Sequence, residues 1–172
     1  MPAQVLPGRL EVPTAAAMRA LGARLAGLLA PGDLIVLSGP LGAGKTTLVQ
    51  GIGDGLGVRG PVTSPTFVIA RLHPSLSGGP ALVHADAYRL GSRLEVDDLD
   101  LDADLDSSVT VVEWGEGLVE QLAPSYLEIT ISRARRAGGP GDARRPAGAA
   151  DPGDPDEPRS VLITGRGERW RV

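Results

Sequence analysis

Eight consecutive residues of this 172-residue chain, Gly39-Pro40-Leu41-Gly42-Ala43-Gly44-Lys45-Thr46, have the types and spacing to grip a chain of phosphates. Glycines let backbone N–H groups close around an anion with no Cβ in the way. A helix opening at the end of such a loop adds unpaired donors and the positive end of its dipole. Lys45 would reach the β- and γ-phosphates as a compact cation, and Thr46 would offer its hydroxyl to Mg²⁺. The pattern is that of a P-loop, G-x-x-x-x-G-K-[ST]. The chain has sixteen arginines and this single lysine. Lysine is therefore kept at the one position where a guanidinium is a poor substitute.

A magnesium–nucleotide site also needs a carboxylate at the end of a neighbouring strand. Two apolar runs end in one: Val109 to Glu113, and Ala81 to Asp86. Either carboxylate would hold the metal, directly or through water, and the other would orient the attacking water. His84, two residues before Asp86, reads as a packed or surface histidine rather than a catalyst. Thr63-Ser64-Pro65-Thr66 follows the helix that Lys45 opens. It is either a segment that senses the γ-phosphate or an ordinary turn.

These residues need elements to hold them. Leu34 to Leu37 is a continuous apolar run and reads as a strand buried on both faces, as in a parallel sheet. The helix after the loop starts at about Lys45, with Leu48, Val49, Ile52 and Leu56 on one face. Gly51, Gly53 and Gly55 each weaken it by ~1 kcal/mol relative to alanine, so packing must hold it. An earlier helix starts after Thr14, a plausible N-cap, carries Met18, Leu21, Leu25 and Leu28 on one stripe, and ends at Pro31-Gly32. Further strands are expected at Arg9 to Val12, Phe67 to Ala70, Ala81 to Val83, Val109 to Val112, Leu127 to Ile131, Val161 to Ile163 and Trp170 to Val172. The strand at Leu127 to Ile131 alternates and has one solvated face.

The stretch from Ala134 to Arg159 has no Val, Ile, Leu, Met, Phe, Tyr or Trp. Such a segment cannot bury enough apolar surface to offset its ordering entropy. Residues 134–158 are therefore expected to be a disordered insertion in one domain spanning 1–172. The acidic run Glu95 to Asp106 superficially suggests a calcium loop. Leu105 stands where that loop requires glycine, and Val111 where it requires glutamate, so a solvated face that docks a partner is the better expectation.

Composition removes other classes. With no cysteine, two histidines and 3% aromatic residues, the chain has no disulfide scaffold, no thiolate zinc site and few rings to stack single-stranded bases. A net charge of −4 and a pI near 5.2 exclude a basic nucleic-acid coat. No signal peptide or membrane span is visible, which makes a cytoplasmic protein the default expectation.

Gly42-Ala43-Gly44-Lys45-Thr46-Thr47, Ser64-Pro65-Thr66, Asp86-Ala87-Tyr88-Arg89-Leu90 and Glu113-Trp114 stand in an order and spacing that resemble the TsaE (YjeE) family. These are bacterial P-loop ATPases needed to form threonylcarbamoyl-adenosine in tRNA. The resemblance runs from about Thr14 to Ser132 and resumes near Arg159. It implies an α/β, P-loop NTPase-like three-layer fold with a mostly parallel central sheet and a C-terminal antiparallel hairpin. It implies ATP or ADP on Gly42, Ala43, Gly44, Lys45, Thr46 and Thr47, and Mg²⁺ on Thr46 and Glu113. Lys45, Asp86 and Trp114 would be needed for activity. Thr14 and Arg159 align with positions near the nucleotide, although the insertion leaves Arg136 as an alternative to Arg159. The implied partners are the proteins TsaB and TsaD, with tRNA reached through that complex, and a slow ATPase that resets the complex between turnovers. The loop around Thr66 would close on the γ-phosphate.

Three other readings compete. A P-loop kinase of small molecules would use Arg133 to Arg145 as a lid, but no acceptor-binding constellation is evident. A GTPase would usually show a pattern like N-K-x-D, and this chain has no Asn and no second Lys. A binding module would use ATP only as an ordering ligand.

Overall fold

The computed structural model describes residues 8–40, 42–63, 70–87, 105–114, 122–133 and 158–170. It is a mixed α/β structure with the elements β1 (Arg9–Val12), α1 (Ala15–Ala26), β2 (Leu34–Ser38), α2 (Lys45–Leu56), β3 (Ala70–His73), β4 (Ala81–Asp86), β5 (Ser108–Glu113), β6 (Tyr126–Arg133) and β7 (Arg159–Arg166). The strands form one seven-stranded sheet in the order β1-β7-β6-β2-β5-β4-β3. Its four central strands, β6, β2, β5 and β4, are mutually parallel. The flanks are antiparallel: β1 on β7, β7 on β6, and β3 on β4. The expected parallel sheet is thus the centre only, and the expected C-terminal antiparallel pair is β6–β7.

β2, β4 and β5 divide their side chains between two cores, and β6 buries Leu127, Ile129 and Ile131 in the first. On one face Ile35, Leu37, Val109, Val111, Leu127 and Ile129 pack with Leu21, Leu25, Leu48 and Ile52 of the two helices. On the other, Leu34, Val36, Val83, Ala85 and Val112 pack with Leu105 and Ala123. Both α-helices among the described residues cover the same face. β5 is buried along its whole length, as its run of apolar residues predicts. β6 alternates as its sequence does, with Leu127, Ile129 and Ile131 inside. Among the described residues no helix is long and apolar enough to cross a membrane.

Three expectations shift. The first helix stops at Ala26, before Pro31, because Gly27 caps it with N–H bonds to the Arg24 and Leu25 carbonyls. The third strand starts at Ala70 and continues to His73; residues 67–69 lie outside the described residues. Trp170 does not extend the sheet. Glu168–Trp170 is a 3₁₀ turn, entered through Gly167 at φ 85°, and Trp170 folds back so that its Cβ lies 2.4 Å from where a Cβ on Gly165 would stand. Arg169 fixes that return: its guanidinium takes both oxygens of the buried Asp33 carboxylate, at 2.7 Å for Nη2 to Oδ2, and donates to the Leu28 carbonyl at 3.0 Å. Most of the acidic run and the whole of 134–157 lie outside the described residues.

The glycines of α2 are the packing that the helix requires. A Cβ on Gly51 would lie 2.1 Å from the Arg19 carbonyl oxygen, and one on Gly55 2.5 Å from the Ala26 Cβ. Gly22 of α1 meets the Leu48 carbonyl in the same way, at 2.3 Å. The two helix backbones therefore touch, and the low helix propensity of glycine is offset by contact that no larger residue permits. Gly51→Ala tests this in thermal melts. Propensity alone predicts a gain of ~1 kcal/mol, whereas the close approach predicts a loss of about 1–3 kcal/mol and a lower Tm. An unchanged or raised Tm would contradict the backbone contact.

Candidate functional site

The loop between β2 and α2 is shaped by what surrounds it. At Gly39 the Ile131 carbonyl oxygen of β6 lies 2.6 Å from the place a Cβ would take, so only glycine lets the chain leave β2 beside β6. Ala43 N–H donates to the Pro40 carbonyl at 3.1 Å and closes a turn. Gly44 then takes φ 101° and serves as N-cap of α2, a conformation that costs other residues steric strain. Since the cap residue is glycine, it has no side chain of its own to cap the first-turn N–H donors. Met18 of α1 packs beneath Gly44.

Lys45 is buried at 6% exposure. Its Nζ donates to the Gly39 carbonyl at 2.6 Å and to the Pro40 carbonyl at 3.0 Å, and lies 4.5 Å from the centre of the Trp114 ring. Trp114 adopts φ 60°, the one positive value outside glycine among the described residues. Its N–H donates to the Leu37 carbonyl, so the chain turns sharply at the end of β5 and carries the indole over the ammonium. Burial holds Lys45 below the ordinary lysine range, while Glu113 and Asp86 pull it back up. Those two carboxylates are register partners at the ends of β4 and β5. Glu113 is buried at 4% exposure and Asp86 is half-buried. Ala87 N–H donates to the Glu113 carbonyl at 2.8 Å and locks the two strand ends together.

His84 lies one pleat before Asp86. It is fully buried, and its Nε2 is 2.8 Å from Glu113 Oε2. The sequence left His84 either packed or on the surface; it is packed, against a carboxylate that the reading misses. The available signal was the alternation of β4, which puts His84 and Asp86 on one face.

Of the remaining expected site residues, Gly42 to Thr47 form the loop and its helix start, and Arg159 reaches it. Thr46 and Thr47 are half-exposed on the first turn of α2, Ala43 is buried, and Gly42 is exposed. Arg159, buried at 7% exposure, donates from Nη2 to the Gly42 carbonyl at 3.1 Å. It pairs with Val12 on one side and Arg133 on the other. Thr14 caps α1, its hydroxyl accepting from Ala17 N–H at 3.1 Å, one turn before Met18. Ser64-Pro65-Thr66, Tyr88-Arg89-Leu90 and Arg136 lie outside the described residues. Of the lid arginines considered above, Arg133 is described; its guanidinium would lie 3.7 Å from a Cβ on Gly42.

The donors fit a magnesium-bound polyphosphate. A glycine-walled cradle offers N–H groups, a buried ammonium faces it, and a hydroxyl and two carboxylates flank it. Bare N–H donors and a cation suit phosphate oxygens, and hard oxygen ligands suit Mg²⁺.

Residues 12–139 match the family model described as threonylcarbamoyl adenosine biosynthesis protein TsaE. The chain is 59% identical to the tRNA threonylcarbamoyladenosine biosynthesis protein TsaE of Streptomyces coelicolor, over 89% of this chain and 93% of that one. It is 40% identical to the protein of the same name from Bacillus subtilis, over 67% and 72%. The crystal structure of Bacillus subtilis YdiB superposes with a TM-score of 0.67 at 29% identity, covering 94% of this chain and 87% of that one.

The environment of Lys45 makes stability depend on pH. With its folded pKa below the ordinary 10.5, the unfolded chain binds more protons between the two values. Stability therefore rises with pH across that window. The cost of burying the ammonium is fully present below the folded value and is relieved as pH climbs toward 10.5. In melts from pH 7 to pH 10, the Tm of the wild type relative to Lys45→Met is expected to increase. A difference that stays flat would place Lys45 in water.

Proposed function

Because the chain belongs to the TsaE family, whose named relatives act in tRNA threonylcarbamoyladenosine biosynthesis, we propose that it is a Mg²⁺-dependent ATPase serving that modification beside TsaB and TsaD. The observation that carries this reading is the buried Lys45, held by the carbonyls of a glycine-walled loop and felt by two carboxylates at the ends of adjacent parallel strands. On this reading the molecule is a single P-loop NTPase-like domain of three layers.

In the proposed reaction the N–H groups of Gly42 to Thr47 hold and orient the β- and γ-phosphates of ATP. Lys45 leaves the Gly39 and Pro40 carbonyls and bonds phosphate oxygens, exchanging neutral acceptors for charged ones. The Thr46 hydroxyl and Glu113 carboxylate would hold Mg²⁺, which would supply positive charge to the phosphate oxygens. Asp86 orients the attacking water and takes its proton. The water oxygen bonds to the γ-phosphorus, the bond to the bridging oxygen breaks, and ADP and phosphate result. Arg159 steadies the loop through the Gly42 carbonyl, and Trp114 flanks the Lys45 cation. Thr14, the N-cap of α1, would stand near the nucleotide as the family resemblance implies.

Phosphate release from ATP and GTP, alone and with the cognate TsaB–TsaD pair, tests this. The expected result is slow, ATP-selective turnover that rises with the pair and falls by at least ~100-fold in Lys45→Ala, the scale of losing one charge-stabilising donor. Turnover that ignores the pair, or that requires a small acceptor, would refute the reading and favour a kinase.

A further inference from the structure

The deepest polar contact of the site is the one between His84 and Glu113, and the reaction above leaves it without a role. His84 is fully buried at the centre of β4, and its Nδ1 has no hydrogen-bond partner among the described residues. Among the described residues the ring's polar bond runs from Nε2 to Glu113 Oε2, at 2.8 Å. A buried polar ring with a single bond is poorly compensated for its desolvation, and a leucine at this position would meet its apolar neighbours at less cost. The residue type therefore serves the carboxylate it touches.

We infer that His84 is a positioning residue for magnesium: it holds Oε2 of Glu113 and thereby presents Oε1 to the metal. The inference rests on the reading of Glu113 as a magnesium ligand. Geometry supports it in three ways. His84 lies on the strand next to Glu113, two residues before Asp86, whose register partner is Glu113. Both partners of the bond are buried, so water cannot take its place. The bond leaves one carboxylate oxygen uncommitted to His84, on a side chain that would otherwise be free to rotate about its last torsion. Partners that orient a ligating carboxylate usually contribute about 10–100-fold to metal affinity.

The test is the Mg²⁺ concentration that half-saturates the strengthening of fluorescent ADP binding, measured on the full chain. Glutamine at position 84 puts an amide nitrogen near the place of Nε2, whereas asparagine puts one near Nδ1, out of reach of Glu113. His84→Asn is expected to need about 10–100-fold more Mg²⁺, with ADP affinity in EDTA unchanged. His84→Gln is expected to stay within about threefold of the wild type, since its amide restores the donor. If the asparagine variant does not fold, His84→Leu replaces it with the same expectation. Equal Mg²⁺ requirements in the wild type, the donor-less variant and His84→Gln would overturn the inference while leaving Glu113 as a ligand. A wild type whose ADP binding ignores Mg²⁺ would overturn the magnesium reading, and the role of His84 with it.

Discussion

An ammonium taken out of water needs acceptors and negative charge close by, and the C-terminal edge of the sheet is organised to give Lys45 both. Two backbone carbonyls come from Gly39 and Pro40, where the chain has left β2 and no longer spends them on a ladder. Charge comes from Glu113 and Asp86, which reach the same edge because β4 and β5 are parallel and in register. The face of Trp114 adds a third kind of partner, at the cost of a left-handed backbone. An antiparallel β4 would carry Asp86 to the opposite edge and leave the lysine with half of its countercharge. The order of the central strands is thus an electrostatic requirement as much as a packing solution.

The helices answer to the same point. α2 begins at Lys45, so any play in α2 becomes play at the ammonium. Contact between backbones at Gly22, Gly51 and Gly55 removes that play more effectively than interlocking side chains would, because it has no rotamers. The contact also fixes α1, whose first turn brings Met18 alongside the loop at Gly44. On the far side Arg159 reaches the Gly42 carbonyl from β7. The loop is therefore braced by α1, by β6 at Gly39 and by β7, three elements distant from it in sequence.

Local features were legible in the sequence. The apolar run of β2, the glycine-rich turn and the α2 stripe fix a strand–loop–helix unit by periodicity and residue type alone, and the alternation of β6 names its buried face. The ends of β4 and β5 could be identified as carboxylate-bearing, whereas the resemblance left Arg159 and Arg136 as alternatives, and the bond to the Gly42 carbonyl is what sets Arg159 beside the loop. What was not legible depends on approach between distant segments. Gly51 reads as a weak point until α1 is laid against it. His84 reads as filler until β5 brings Glu113 beside it. Trp170 reads as strand because its β-propensity is high, but Gly167 and the Asp33–Arg169 pair turn the chain back. Trp114 carries no sequence signal for its positive φ.

The resting position of Lys45 bears on how the proposed ATP site would select its ligand. A phosphate does not meet a bare cation here; it must displace two carbonyls that already satisfy the ammonium. The exchange is favourable only by the difference between charged and neutral acceptors, a smaller gain than the charged bond itself. The same phosphate approaches Glu113 and Asp86, which repel it. Both terms weaken a metal-free nucleotide, and a divalent cation between carboxylate and phosphate reverses the second. On the proposed reading, the carbonyls and carboxylates that hold Lys45 would therefore also make nucleotide binding conditional on the metal. Conditional binding of that kind puts weight on the orientation of Glu113, because a carboxylate that wanders is as much a repulsive charge as a ligand.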